Sequence, residues 1–244
     1  MQYEPVSRTF LAPSLASAPG VRIEASLMRK LVQGIVDFRR SRRPDYAETF
    51  ARLALRQKPD ALYIACSDSR VQANVFASTE PGDLFVVRNP GNLVSPAGPD
   101  GKSISDESEA AAIEFALDVL EVRDIIVCGH SGCGAMAALQ AGREDVRWPH
   151  LRSWLRHADA AAERLRGGEG DPERPPQDRL SQLNVLLQLE HLRSYEPVRR
   201  RAPGLHAWWF EIATAEVHAW DAALGRFRPI DDDHAAQIVQ RMKR

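Results

Sequence analysis

The side chains best suited to chemistry lie in two short stretches, Cys66-Ser67-Asp68-Ser69-Arg70 and His130-Ser131-Gly132-Cys133. Thiolate and imidazole are the donors zinc prefers, and structural zinc sites normally close with four of them. These stretches offer three, Cys66, His130 and Cys133. Three protein ligands leave one position open for a reactant, which is the mark of a catalytic zinc. The two stretches are too far apart in the chain for a zinc finger, so two distant segments must meet in space. Taken singly, each cysteine reads as a small buried apolar residue and His130 as a satisfied core histidine. The set reads differently, because Asp68 and Arg70 stand beside it, and charges next to a core persist only when paired or bound to metal. Cys128, inside an apolar run, is read as an ordinary core residue.

Two other patterns are weaker. Gly132-Cys133-Gly134-Ala135-Met136-Ala137 fits G-x-G-x-x-A, but no strand with an acidic residue follows at the distance a dinucleotide-binding unit needs. Gly129-His130-Ser131-Gly132-Cys133 resembles a nucleophile elbow, yet Cys133 stands where that motif needs glycine.

The elements around these motifs explain how they could converge. Ala61–Ala65 is a short apolar run rich in branched and aromatic residues, the signature of a buried strand, and Cys66 follows directly. Leu84–Val87 is a second such run, entered through the turn Pro81-Gly82-Asp83 and followed by Arg88-Asn89-Pro90-Gly91-Asn92. Asp124–Cys128 is a third, and Gly129–Gly134 leads into an Ala-rich helix over 135–141. A helix over Glu107–Leu120, with Ala112, Phe115, Ala116 and Val119 facing inward, separates the second strand from the third. Strand, helix, strand in this order predicts an α/β fold with a mainly parallel central sheet. Such sheets bind ligands at the carboxyl ends of their strands, which is where both motifs lie.

Before the first strand, Leu27, Leu31, Ile35 and Phe38 recur at helical spacing, giving a helix that ends near Arg39–Pro44. The basic run there is expected to be a solvated helix end. A second helix is expected over Tyr46–Leu55. Later, Trp148–Arg166 reads as helical, Gly167–Pro176 as a break, and Leu180–Tyr195 as a long helix with Leu183, Leu186, Leu187 and Leu189 near one face. His206–Ile212 and Glu216–Trp220 alternate as strands of a hairpin. The expectation is one domain over residues 24–244, preceded by a flexible leader over 1–23 that contains Pro5, Pro13, Pro19 and Gly20.

A net charge of −1 provides no general attraction for nucleic acid or anionic membrane. No apolar run approaches the length of a membrane helix. Pro13 interrupts the only apolar start at the N-terminus, so no export signal is expected, and the three cysteines are read as reduced thiols in the cytoplasm.

Cys66-x-Asp68-x-Arg70 together with His130-x-x-Cys133 resembles the β-class carbonic anhydrases. Arg88-Asn89-Pro90-Gly91-Asn92 and Leu205-His206-Ala207-Trp208-Trp209 extend the resemblance to roughly residues 25–230. It implies one Zn²⁺ per chain on Cys66, His130 and Cys133, and reversible hydration of carbon dioxide to bicarbonate by hydroxide on the metal. Asp68 and Arg70 would form a catalytic dyad, with Asp68 a fourth ligand only in a closed form. The resemblance also implies helical N-terminal arms that clasp a second copy, making a homodimer the minimal assembly. Gln57 would contact substrate across that interface, Phe85 would line an apolar pocket, and Gly134 would donate its backbone N–H to a bound anion. Family members often carry tyrosine where Phe115 stands. Those with an inhibitory bicarbonate site have tryptophan and glycine where Tyr63 and Ala65 stand, so no such site is expected despite Arg88. Two alternatives stay open: hydrolysis of carbonyl sulfide or carbon disulfide on the same zinc, and a non-catalytic zinc module that senses bicarbonate.

Overall fold

The computed structural model describes residues 27–242. They fall into two units, one ending at Thr49 and the other running from Phe50 onward. In the first, α1 (Leu27–Asp37) leads through a widened turn, Phe38–Arg42, into α2 (Arg43–Leu53), whose last residues belong to the second. The helix expected to stop near Pro44 therefore continues. Proline removes one backbone donor and crowds the carbonyl four residues back. The turn before it widens instead, and Arg43 N–H bonds back to the Phe38 carbonyl, five residues away. The basic run is exposed, as expected. The leader expected over 1–23 lies outside the described residues.

The second unit is built on six strands in the order β2-β1-β3-β4-β5-β6. They are β1 (Ala61–Cys66), β2 (Leu84–Asn89), β3 (Asp124–His130), β4 (Gly204–Glu211), β5 (Glu216–Asp221) and β6 (Arg226–Pro229). The first four run parallel and the last two antiparallel, so the expected α/β fold with a mainly parallel sheet is present. All six residues of β1 are buried because both sheet faces are covered. Leu62 and Ile64 pack with α4 (Glu107–Glu114) and α8 (Pro176–Leu192) on one face, while Tyr63 and Ala65 pack with Cys128 and Phe210 on the other. The remaining helices are the one-turn α3 (Ala73–Phe76), α5 (Gly134–Gly142), α6 (Pro149–Leu155), α7 (Asp159–Arg166), α9 (Glu196–Arg201) and α10 (Asp232–Met242). Of these, α3, α9, α10 and strand β6 go beyond the elements that periodicity suggests.

Two helix faces differ from expectation. On α4 and the turn after it, Glu109, Ile113, Ala116 and Leu117 point inward, whereas Phe115 and Val119 are exposed. Glu109 is the cause: a buried carboxyl counts as a solvent-side residue in any hydrophobic period, which displaces the inferred stripe by one position. Helix α8 has no single apolar face. Ser181, Gln182, Asn184 and Gln188 are buried alongside its leucines. A helix buried all round can keep such residues only if each is hydrogen-bonded, and the bonds of Ser181 and Asn184 go to the loops that build the site.

The site's position follows from strand order. The chain leaves β1 toward β2 on one side, and leaves β3 toward β4 on the other. The carboxyl ends of β1 and β3 therefore flank the switch point of the sheet, where open α/β folds form their binding crevice.

Candidate metal centre

Cys66 ends β1 and His130 ends β3, two strands that pair in parallel. After His130 the chain turns sharply through Gly132, whose φ of +61° is reached without strain only by glycine. That turn returns Cys133 to the entrance of α5. One ligand atom from each of Cys66, His130 and Cys133 then lies within 4.8 Å of the others, and all three residues are buried. No disulfide joins them.

The surroundings prepare each group for a cation. His130 Nδ1 is 2.9 Å from the Ser131 carbonyl. A carbonyl only accepts, so Nδ1 carries the proton and Nε2 presents a lone pair. Nε2 is buried with no hydrogen-bond partner among the described residues, as expected of a nitrogen whose partner is a metal. Cys66 Sγ accepts the Gly91 N–H at 3.4 Å. The Cys66 thiol is held far below its ordinary value, chiefly by hydrogen bonding with Cys133. Cys133 is pushed up by its hydrogen bond with Cys66, then by burial and by the charge on Cys66, an effect opposed by the N–H groups of Met136 and Ala135 in the first turn of α5. A divalent cation reverses that second shift, since a coordinated thiol is deprotonated outright. Two thiols, one free imidazole lone pair and donors aimed at the sulfurs fit zinc.

Asp68 and Arg70 meet side by side. Arg70 Nε is 2.9 Å from Asp68 Oδ1, and Nη2 is 2.7 Å from Oδ2. The Arg70 backbone N–H reaches Oδ1 at 3.0 Å. These contacts, the guanidinium first, lower the Asp68 carboxyl to about 2. Asp68 Oδ2 also lies 3.9 Å from His130 Nε2, on the edge of the ligand triad.

A further layer holds the ligand-bearing loops. Arg88 places Nε at 3.0 Å and Nη2 at 2.7 Å from the Cys66 carbonyl, and Nη2 at 2.7 Å from the Asp68 carbonyl. This guanidinium is thus committed to shaping the 66–68 turn. Asn89 closes the next loop on Leu93 and donates to Glu109 Oε1. Helix α8 completes the frame. Ser181 donates to the His130 carbonyl, Asn184 to the Gly91 carbonyl, and Gln177 to the Cys133 carbonyl. Asp178 accepts the Gly132 N–H at 2.8 Å, and Trp154 donates to the Pro90 carbonyl at 2.8 Å. None of these α8 residues had a sequence signal beyond being polar in a leucine-rich helix.

Other expected site residues sit elsewhere in the chain. Gln57 is exposed between α2 and β1. Phe85 stacks on Phe115 at 5.8 Å. It lies four residues before Asn89 on β2, about 13 Å down the strand from the Cys66 end. Gly134 opens α5 beside Cys133, is exposed, and has nothing within 4 Å of where a Cβ would be.

The carbonic anhydrase family profile matches residues 61–217. A carbonic anhydrase of Pseudomonas aeruginosa is 40% identical over 204 residues, covering 82% of this chain and 90% of its own length. Carbonic anhydrase 1 of Escherichia coli O157:H7 is 35% identical, covering 83% and 92%. Among solved structures, the β-carbonic anhydrase CcaA superposes with a TM-score of 0.76 at 34% identity, covering 84% of this chain and 92% of that one. The matched span contains Cys66, Asp68, Arg70, His130 and Cys133, and the chain belongs to the β class of the carbonic anhydrase family.

Proposed function

We propose that this chain hydrates carbon dioxide reversibly on one zinc ion held by Cys66, His130 Nε2 and Cys133. The observation that carries the reading is the convergence of those three donors within 4.8 Å, with the His130 lone pair buried and unclaimed. Zinc in such a site acidifies a water, so that a nucleophile for carbon dioxide exists at neutral pH. Two thiolates cancel the charge of a divalent cation, so the protein must assist that acidification. Asp68 is the group placed to do so, as acceptor and orienter of the attacking water. Arg70 keeps it ionised and fixed through a bidentate contact. Water and carbon dioxide give bicarbonate and a proton, and the proton leaves to solvent or buffer. If it released Arg70, the same carboxylate would be available as a fourth ligand to the metal, which would close the site.

Gly134 N–H, at the start of α5, is assigned to the bound anion. Gln57 and Phe85 lie away from the triad of their own chain, and we assign Gln57 to the site of a second copy. Apolar side chains left exposed in the single chain support a homodimer or larger assembly: Leu31 and Ile35 on α1, and Val86, Phe115 and Val119 in the second unit. A related β-carbonic anhydrase of Sordaria macrospora, one of two described as tetrameric, is 28% identical with a TM-score of 0.66 and coverage of 80% and 97%. Among the described residues no helix is long and apolar enough to cross a membrane. Three unpaired cysteines suit a reducing compartment, and we place the protein in the cytoplasm.

Metal content and carbon dioxide hydration, measured on two variants, test the assignment. Cys66→Ser should lose zinc. Asp68→Asn should retain one zinc per chain yet lose hydration by about 10²-fold or more. A Cys66→Ser protein that keeps its zinc, or an Asp68→Asn protein of full activity, overturns it.

A further inference from the structure

The β4–β5 hairpin carries a second group of ligand-type side chains. Trp209 stands opposite His218, and Glu211 opposite Glu216, in the antiparallel register. Alternation puts all four on one face of the hairpin. Like charges directly opposite each other are destabilising, and the structure neutralises only one of them. Arg174 Nη1 lies 2.9 and 2.8 Å from the two Glu211 oxygens, with its guanidinium 4.9 Å from the centre of the Trp209 ring. Glu216 has no ion-pair partner among the described residues.

His218 is the unusual member. It is 3% exposed and packs edge-on against Trp209. Both of its ring nitrogens are buried without a hydrogen-bond partner among the described residues. Nε2 points to Glu211 Oε2 at 3.5 Å, too long for a good hydrogen bond. A buried polar atom left unpaired costs about 1–3 kcal/mol. One ligand atom from each of Glu211, Glu216 and His218 lies within 4.8 Å of the others. Two carboxylates against one guanidinium leave the cluster one charge negative.

We propose that Glu211, Glu216 and His218 form a second divalent-cation site, separate from the Cys66–His130–Cys133 centre. One imidazole and two carboxylates are ligands that zinc accepts, with water completing its shell. A cation there takes the Nε2 lone pair, removes the repulsion between Glu211 and Glu216, and staples β4 to β5. It binds more weakly than at the first centre, because no thiolate contributes and Arg174 competes for Glu211.

Zinc itself is the probe. Protein already carrying its first zinc is dialysed against rising Zn²⁺, and metal per chain is counted. The wild type should take up a second zinc, and the His218 ring ¹⁵N resonances should shift with it. Glu216→Gln changes an exposed residue that has no ion-pair partner among the described residues. It should weaken the second zinc by at least about tenfold, since losing even an outer partner costs that much. The first zinc and carbon dioxide hydration should be unchanged. His218→Gln should abolish the second zinc; if that variant does not fold, Glu216→Gln decides. Absence of a second zinc in the wild type, uptake undiminished in Glu216→Gln, or an unmoved His218 ring would each overturn the proposal. None of these outcomes depends on what the first centre catalyses.

Discussion

Gly129, between Cys128 and His130, packs directly against α8, and replacing it with alanine tests how tightly α8 governs the metal centre. A Cβ at this position would stand 2.6 Å from Val185 Cγ2, 3.2 Å from Ser181 Oγ and 3.3 Å from Trp209 Cδ1. Carbon atoms pack best at about 3.5–4.0 Å, so the Val185 contact must open by roughly 1 Å. Val185 is fully buried. Its β-branched side chain has one strongly preferred rotamer in a helix, so rotation gives little relief. Helix α8 must shift, and overpacking of this kind costs about 1–3 kcal/mol. For a domain this size that lowers the melting temperature by about 2 to 12 °C. The shift also strains the Ser181 bond to the His130 carbonyl, 2.8 Å long and one helical turn from Val185, so zinc affinity should fall with stability. Urea unfolding at fixed protein and zinc concentrations measures the first effect, and competition with a chelator the second. Val185→Ala makes room for the new methyl. The double variant should therefore be more stable than the sum of the single changes by about 1–2 kcal/mol. Additivity within about 0.5 kcal/mol, or a neutral Gly129→Ala, would refute the reasoning.

Glu109 offers a pH test. Burial, then the nearby Asp106 charge, raises its carboxyl to about 8. A group whose folded value lies above its unfolded value holds its proton longer in the folded state. Stability is therefore highest below about pH 4.5 for this group and declines until about pH 8, by roughly 5 kcal/mol at the extreme. Glu109→Gln mimics the protonated form and should remove that slope, which melting curves at several pH values would show; parallel curves for the two proteins would contradict it. Metal removal is a further test. Cys66, His130 and Cys133 tie the ends of β1 and β3 to the start of α5, so chelation should lower the melting temperature. The expected loss is about 2.7 kcal/mol when free zinc stands at 100 times its dissociation constant. Hydrogen exchange should accelerate first at those three segments, and an unchanged melting temperature would argue against a bound ion.

Much of the fold was legible because its signals are local. The apolar runs at Ala61–Ala65, Leu84–Val87 and Asp124–Cys128 lie inside the strands observed; β1 and β3 are apolar because both their faces are buried, whereas β2, read as buried too, is the edge strand and leaves Val86 exposed. Polar residues inside helices were misread for the same local reason. Glu109 displaced the inferred face of its helix, and the leucines of α8 concealed that Ser181, Asn184 and Gln188 are also buried. Pro44 was read as a stop because local rules contain no widened turn to absorb it.

For the site, residue chemistry alone selected Cys66, His130 and Cys133, because few side chains bind zinc and these three sit at strand ends. Their closeness is a property of strand order: β1 and β3 are neighbours only because β2 adds on the far side of β1. Only the tertiary structure could show that Arg88 shapes the 66–68 turn and that α8 holds the Gly91, His130 and Cys133 carbonyls. It also placed Glu211, Glu216 and His218 on one face of a hairpin. The physical reason is range. Apolar periodicity and metal-binding chemistry are written in adjacent residues, whereas a hydrogen bond across some 50 to 90 positions exists only after packing has brought its partners together.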